Sequence, residues 1–514
     1  MCEPDKDRVL FDGTALRVEH IVDLAKRRRE PELSVDPDFV GRIRRGASVI
    51  ERLLAEDGVI YGVTTGYGDS CTVSIPPELI QELPHHLYTY HGCGLGQELD
   101  AEQVRAVMAV RLASLCQGMS GVSYELLDQL AACLRCDVLP RMPTEGSVGA
   151  SGDLTPLSYL AAMLCGEREA RFAGETLPAA EALCRIGRQP LRLRPKEGLA
   201  IMNGTAVMTG LACLALSRAA YLAKLATRIT ACNVYATGGN AHHFDERLFR
   251  AKPHPGMLRT AERLRGDLAA DRPPRNEQRI QDRYSLRCAP HVIGVLEDTL
   301  EYLRGWIETE LNSANDNPLL DPEDGRVLHG GHFYGGHVAQ GMDSLKAAVA
   351  NVADLLDRQL ALLVDPKYSH GLPANLSAAR GERAAINHGL KALQIAVSAW
   401  TAEALQHGMP VSVFSRSTEC HNQDKVSLGT IAARQCLRVI ELTEQVTAGM
   451  LIAARQGMHL RYELEPTRGP SSVLAAWLEE LAAQVPLVES DRALDVDLRT
   501  LLELLRSETW RLYA

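Results

Sequence analysis

Aromatic side chains are scarce in this chain, at 5% of its 514 residues. Ala and Leu are abundant instead, and they lose least on entering a helix, so the balance favours helices. There is no basic tract beyond Lys26-Arg27-Arg28-Arg29, and the net charge is −10. That excludes nucleic-acid binding as a main role. No apolar run is long enough for a bilayer; the strongest, 205–216, stops at Arg218. Residues 1–6 contain no apolar segment, so no signal peptide is expected. The 13 cysteines are odd in number and scattered from Cys2 to Cys436, which reads as reduced thiols rather than a disulfide framework. A cytoplasmic protein with no membrane partner is the expectation. Repeats and low-complexity linkers are absent too, and the otherwise ordinary composition rules out collagen, disorder and a coiled-coil rod.

At this length about three domains would be usual, and a large core forms without disulfides or metal. The region to about residue 80 mixes short helical patterns with Gly/Thr-rich loops. Residues 40–54 carry Val40, Ile43, Ala47, Ile50, Leu53 and Leu54 at helical spacing. The following Tyr61-Gly62-Val63-Thr64-Thr65-Gly66-Tyr67-Gly68-Asp69-Ser70 has too many glycines for a helix and reads as a mobile loop. Residues 101–117 present a wide apolar face, with Asp100 placed to cap the helix start. Long stretches at 286–311, 337–364, 384–406 and 427–455, with proline only at Pro290 near the start of the first, predict a helical bundle.

The most informative segment is Gly146-Ser147-Val148-Gly149-Ala150-Ser151-Gly152-Asp153-Leu154-Thr155-Pro156-Leu157-Ser158. One reading is a flexible turn before a helix starting near Thr155-Pro156. The other is chemical. Ala-Ser-Gly allows the Gly152 nitrogen to attack the Ala150 carbonyl, given a tight backbone that glycine tolerates. Loss of water from the ring and from Ser151 then leaves an electron-poor methylidene-imidazolone.

With six further blocks, this segment resembles the histidine, phenylalanine and tyrosine ammonia-lyases and the related 2,3-aminomutases. They build that group, 4-methylidene-imidazol-5-one (MIO), from an internal Ala-Ser-Gly. The other blocks are 61–68 (quoted above), Glu197-Gly198-Leu199-Ala200-Ile201-Met202-Asn203-Gly204-Thr205, Lys252-Pro253-His254-Pro255-Gly256, Gln281-Asp282-Arg283-Tyr284-Ser285-Leu286-Arg287-Cys288, Asn312-Ser313-Ala314-Asn315-Asp316-Asn317-Pro318 and His421-Asn422-Gln423-Asp424-Lys425-Val426-Ser427-Leu428-Gly429. The resemblance covers nearly the whole chain. It implies an all-α fold like that of histidine ammonia-lyase, an elongated central helical bundle with a smaller, loop-rich N-terminal portion bearing MIO. Residues 1–200 would form that portion and 201–514 the long-helix bundle and C-terminal helices, interlocked as one structural unit. It also implies MIO from Ala150-Ser151-Gly152 with no metal or diffusible cofactor, and a homotetramer whose sites share residues between chains.

By the same resemblance Tyr61 is the base that takes the substrate's β-proton, and a phenol must be activated by its surroundings for that. Arg287 binds the substrate carboxylate through its bidentate fork, with Tyr284 on the same face. Asn203 bonds the prosthetic group and carboxylate, Phe333 lines the site, and Glu419 and Gln423 lie near the substrate amine. Tyr90-His91 aligns with the dipeptide that reads the substrate ring: Ser-His in histidine lyases, His-Leu in tyrosine lyases, Phe-Leu in phenylalanine lyases. Thr64, His291, His332 and Tyr334 also depart from the usual pattern. The implied activity is non-oxidative elimination of ammonia from an aromatic L-amino acid to an arylacrylate, with tyrosine to 4-coumarate favoured and phenylalanine to cinnamate next. The alternatives are histidine ammonia-lyase giving urocanate, or an aromatic amino acid 2,3-aminomutase. His85, His86, His91 and Cys93 match no tetrahedral zinc spacing, and Cys133-x-x-Cys136 reads as two buried thiols.

Overall fold

The computed structural model describes residues 7–56, 58–269 and 279–513; residues 1–6, on which the signal-peptide expectation rests, lie outside them. The fold is an all-α bundle, with helices at Ala206–Ala236, Ala289–Leu311, Gly336–Val364 and Gly429–Leu464 the longest among the described residues. Two compact units are distinguished. The first runs through Ser217 and takes in Leu303–Asp343 and Pro410–Arg434; the second comprises Arg218–Tyr302, Ser344–Met409 and the chain from Gln435 onward.

In the first unit the helix Ala101–Leu115 begins as its sequence asks. Asp100 Oδ1 accepts the Gln103 amide at 2.8 Å while Gln103 Oε1 accepts the Asp100 amide at 3.1 Å, a reciprocal cap. It is buried on nearly every side, Arg111 included. The helix Ala206–Ala236 approaches it closely at Gly210, where any Cβ would lie 2.9 Å from the Val107 nitrogen. The helix Pro37–Ala55 replaces the expected 40–54, started by Asp36 accepting the Asp38 and Phe39 amides. Short strands also occur that periodicity did not announce. Arg8–Phe11 pairs in parallel with Glu30–Leu33, and Leu95–Glu98 pairs antiparallel with Pro143–Glu145. Strands of three or four residues hold too few alternations to register.

The helix Ala206–Ala236 is long and apolar enough to cross a membrane by length, but 78% of its most apolar window is buried in the protein. It continues past Arg218, where the apolar run ends, and that guanidinium pairs with Glu444 at 2.8 Å. In the second unit the stretch expected to be helical over 384–406 starts only at Lys391. Gly389 has φ +55, and the His388 and Gly389 amides donate to the Asp491 carboxylate at 2.7–2.9 Å, which ends a 3-10 turn and blocks an earlier helix. The helix expected to close at 455 instead runs to Leu464, and a Cβ on its Gly457 would press on the Ala236 side chain. Cys136 is exposed while Cys133 is buried, since the left-handed Asp137 ends that helix at the surface.

Candidate active site

Two chain reversals meet in the first unit. The Ala150-Ser151-Gly152 turn precedes the helix Leu154–Leu164, and Asn203-Gly204-Thr205 precedes the helix Ala206–Ala236. Their backbones are joined: the Asp153 amide donates to Gly204 O at 2.8 Å and the Gly204 amide to Ser151 O at 3.2 Å. Gly149, Ser151 and Gly152 all have positive φ, of +72, +53 and +78. A Cβ on Gly152 would overlap the Gly204 carbonyl, so only glycine fits there. The buried Asp153 carboxylate ties the two helix starts together. It accepts the Val207 and Met208 amides at 3.0 Å each, the Ser147 hydroxyl at 3.2 Å and the Thr430 hydroxyl. Burial pushes its pKa up to about 6, although those hydrogen bonds favour the ionised form.

The turn opens on a cavity of about 900 Å³ lined by Tyr61, Tyr90, His91, Ala150, Ser151, Asn203, Phe333, Glu419 and Gln423, all expected site residues. Asn203 Nδ2 donates to Ser151 O at 2.5 Å, its Oδ1 accepts the Asn317 amide at 2.6 Å, and Gln423 Nε2 donates to Ser151 Oγ at 3.2 Å. Tyr61 bends back over its own loop, where its phenol oxygen accepts the Gly68 amide at 2.7 Å. Burial raises the Tyr61 pKa above its usual value and the Glu419 charge adds to this, while the Gly68 amide pulls the other way. Glu419 in turn holds that loop, accepting the Asp69 amide at 2.8 Å and Asn422 Nδ2 at 2.9 Å. The expected loop is therefore tethered, and Gly68–Thr72 within it forms a 3-10 turn.

The helix Leu83–Tyr90 carries Tyr90, with His91 just past its end, into the cavity lining. His91 Nδ1 lies 2.9 Å from Leu87 O, so it carries the proton and leaves Nε2 as an acceptor. Burial lowers the His91 pKa, which keeps the ring neutral. Tyr90 stacks obliquely on it with centroids 4.3 Å apart and is 57% exposed. His85 instead faces Glu167 at 3.2 Å.

Tyr284 and Arg287 are not among the residues lining this cavity. Both sit in the second unit, on the short turn Tyr284–Arg287, where the guanidinium lies 4.7 Å from the Tyr284 ring and donates through Nε to Asp282 O at 3.0 Å. Tyr284 is 71% exposed. Of the unusual positions, Tyr334 lines the cavity, His332 is exposed, and His291 packs on Phe249 in the second unit.

Sequence reasoning missed the support beneath the turn: Asp153, Thr430, Asn315 and the buried Arg111. Arg111 was visible as the single charge within the apolar run 106–115, and Asn315 as part of the Asn-Asp-Asn-Pro block.

The family profile described as "Aromatic amino acid lyase" matches residues 16–482. Histidine ammonia-lyase from Gloeobacter violaceus is 39% identical over 502 residues, covering 97% of this chain and 96% of that protein. The crystal structure of tyrosine aminomutase from Streptomyces globisporus superposes with a TM-score of 0.90 at 31% identity, covering 98% of this chain and 97% of that one. Histidine ammonia-lyase from Trypanosoma cruzi gives a TM-score of 0.89 at 31% identity, covering 98% and 94%. A match of this extent, joined to the Ala-Ser-Gly turn at the floor of the cavity, means that the chain belongs to the aromatic amino acid lyase family of MIO-dependent ammonia-lyases and aminomutases, and is an enzyme of the ammonia-lyase type.

Proposed function

We propose that the enzyme eliminates ammonia from L-histidine to give urocanate, using MIO formed from Ala150-Ser151-Gly152. The observation that carries the histidine reading is His91: a neutral ring with Nδ1 on Leu87 O, offering Nε2 to an N–H in the cavity that contains Ser151. The similarity to curated histidine ammonia-lyases supports it over the tyrosine preference expected from sequence.

The residues at the turn fit the prosthetic group. Positive φ at Ser151 and Gly152 tightens the backbone where the Gly152 nitrogen must reach the Ala150 carbonyl, and Asn203 holds the Ser151 carbonyl. Gln423 donates to Ser151 Oγ, the oxygen that leaves as water. When formed, the group supplies an electron sink that turns the substrate amine into a competent leaving group.

Tyr61 accepts the β-proton as the carbon–nitrogen bond breaks and the double bond forms, and the Gly68 amide stabilises the phenolate so required. The loop held by Glu419 lines the cavity. Asn203 Nδ2 keeps one hydrogen free for the substrate carboxylate, beside the one it gives to Ser151. Arg287 and Tyr284 complete the anchor from a second copy of the chain, in a homotetramer. The exposure of Tyr284, and of Ile280 and Ile395 elsewhere in the second unit, supports burial against another copy.

The test is a spectrophotometric screen of L-histidine, L-tyrosine and L-phenylalanine, with products identified by mass. Urocanate should form fastest; faster coumarate would return the tyrosine reading. A second reading, a tyrosine 2,3-aminomutase, draws on the TM-score of 0.90 to such an enzyme and on Tyr90 at the cavity. It predicts a β-amino acid accumulating before free ammonia.

A further inference from the structure

Arg111 is fully buried in the first unit, with no carboxylate among its hydrogen-bond partners. Its Nη1 donates to Asn203 O at 2.9 Å, and its Nη2 to Ser114 Oγ at 2.6 Å and Asn315 Oδ1 at 3.0 Å. The Nε finds no partner. A buried guanidinium is costly, and here the nearest charges, Asp316 and Asp153, act on it only through space. Burial lowers its pKa to about 10, so it remains a cation at neutral pH.

This cation lies under the strand-like segment that presses on the Ala-Ser-Gly turn. A Cβ on Gly204 would meet Arg111 Nη1 and Asn315 Oδ1, and a Cβ on Gly152 would meet Gly204. Guanidinium, Gly204 and Gly152 are thus stacked without room for a side chain between them. Asn315 extends the platform, donating to Thr205 Oγ1 at 2.9 Å, which donates to the half-buried Glu310 at 2.5 Å. The same Asn203 whose carbonyl Arg111 grips sends its side chain to Ser151 O.

We propose that Arg111 is the positioning residue for prosthetic-group formation, a rigid floor that holds Asn203-Gly204 against the Ala150-Ser151-Gly152 turn so that the Gly152 nitrogen stays close to the Ala150 carbonyl. It touches neither substrate nor the reacting atoms. The inference rests on MIO forming in this chain. In that step the Gly152 nitrogen bonds to the Ala150 carbonyl carbon, the carbonyl oxygen leaves as one water with the Gly152 and Ser151 amide hydrogens as a C=N bond to the Ser151 nitrogen forms, and the Ser151 hydroxyl leaves with the Ser151 α-hydrogen as a second. No oxidant or co-reactant is needed.

The test is intact mass of the purified full-length chain, which reports loss of two waters, alongside thermal melting. A wild-type chain retaining both waters would overturn the MIO reading itself. With the wild type dehydrated, Arg111→Met should melt at an unchanged temperature yet show at least a tenfold smaller dehydrated fraction. Arg111→Lys, which keeps the charge and reaches one acceptor, should recover part of it. A folded Arg111→Met that dehydrates like the wild type overturns the role of Arg111 alone. If Arg111→Met does not fold, Arg111→Lys and Ser114→Ala decide: a deficit in either at unchanged melting supports the proposal, and wild-type dehydration in both overturns it.

Discussion

The Tyr61 phenol oxygen and the Gly68 amide close the eight-residue loop 61–68 through one 2.7 Å hydrogen bond. That bond favours the phenolate, yet burial and the Glu419 charge outweigh it and hold the Tyr61 pKa above its ordinary value near 10. Turnover that needs the phenolate should therefore climb with pH. The profile of kcat/KM, which reports the free enzyme, is expected to rise from about pH 7 to about pH 10 without levelling. A plateau beginning near pH 7 would assign the proton transfer to another group. Glu419→Gln removes a negative charge facing the phenol, so its rising limb should move to lower pH whatever happens to the maximal rate.

Replacing Tyr61 by Phe should cost roughly a hundredfold to ten-thousandfold in kcat, the usual contribution of a positioned base. The hydroxyl bonds Gly68 and not the Ala-Ser-Gly turn, so the intact mass should still lack two waters. Residual activity near wild type would remove Tyr61 from the mechanism.

Local structure was legible where a few neighbouring residues decide it. Asp100 with Gln103 wrote a helix start into the sequence, and apolar periodicity over long stretches without proline in their interiors wrote the long helices. What depends on a distant partner was not legible. The delayed helix start at Lys391 is imposed by Asp491, and the partner of Arg218 is the distant Glu444. The site shows the same division. Tyr61 and Gln423 share one cavity although nothing in their spacing brings them together; they were found by resemblance. Arg111 and Asn315 carried no motif role, because a floor residue works by packing and hydrogen bonding to backbone. The raised Tyr61 pKa also escaped, since it depends on burial and on Glu419.

Asp153 makes stability pH-dependent in a direction opposite to most carboxylates. Its folded pKa of about 6 lies above the ordinary 3.8, so the native state holds the proton more tightly than the unfolded chain. Its favourable contribution is full below about pH 4 and is lost as pH rises through 6. The stability of the wild type relative to Asp153→Asn should accordingly fall by about 2–3 kcal/mol between pH 4 and pH 7. Chemical denaturation across that range measures it, and a flat difference would mean that Asp153 is ionised throughout.

His91 should set ring preference. Its Nε2 is an acceptor because Nδ1 is committed to Leu87 O at 2.9 Å. Leucine at this position removes the acceptor and leaves an imidazole N–H unpaired in the cavity. His91→Leu is expected to lower kcat/KM for histidine at least tenfold while leaving phenylalanine unchanged or improved. Equal losses on both substrates would show a packing role and leave the selectivity position elsewhere.

Complementation tests whether Tyr284 and Arg287 serve another chain's cavity. They are absent from the lining of the one that holds Tyr61 and Ser151, and Tyr284 is 71% exposed. Tyr61→Phe removes the proposed base and Arg287→Ala the proposed carboxylate anchor, so each homo-oligomer should be inactive or nearly so. In mixed oligomers some sites combine the wild-type Tyr61 of one chain with the wild-type Arg287 of another, and these should work. Co-expression of the two variants should therefore restore a measurable fraction of wild-type kcat. If Tyr61 and Arg287 of a single chain served one site, every site in the mixture would carry one lesion. No mixing ratio would then exceed the activity of the better parent.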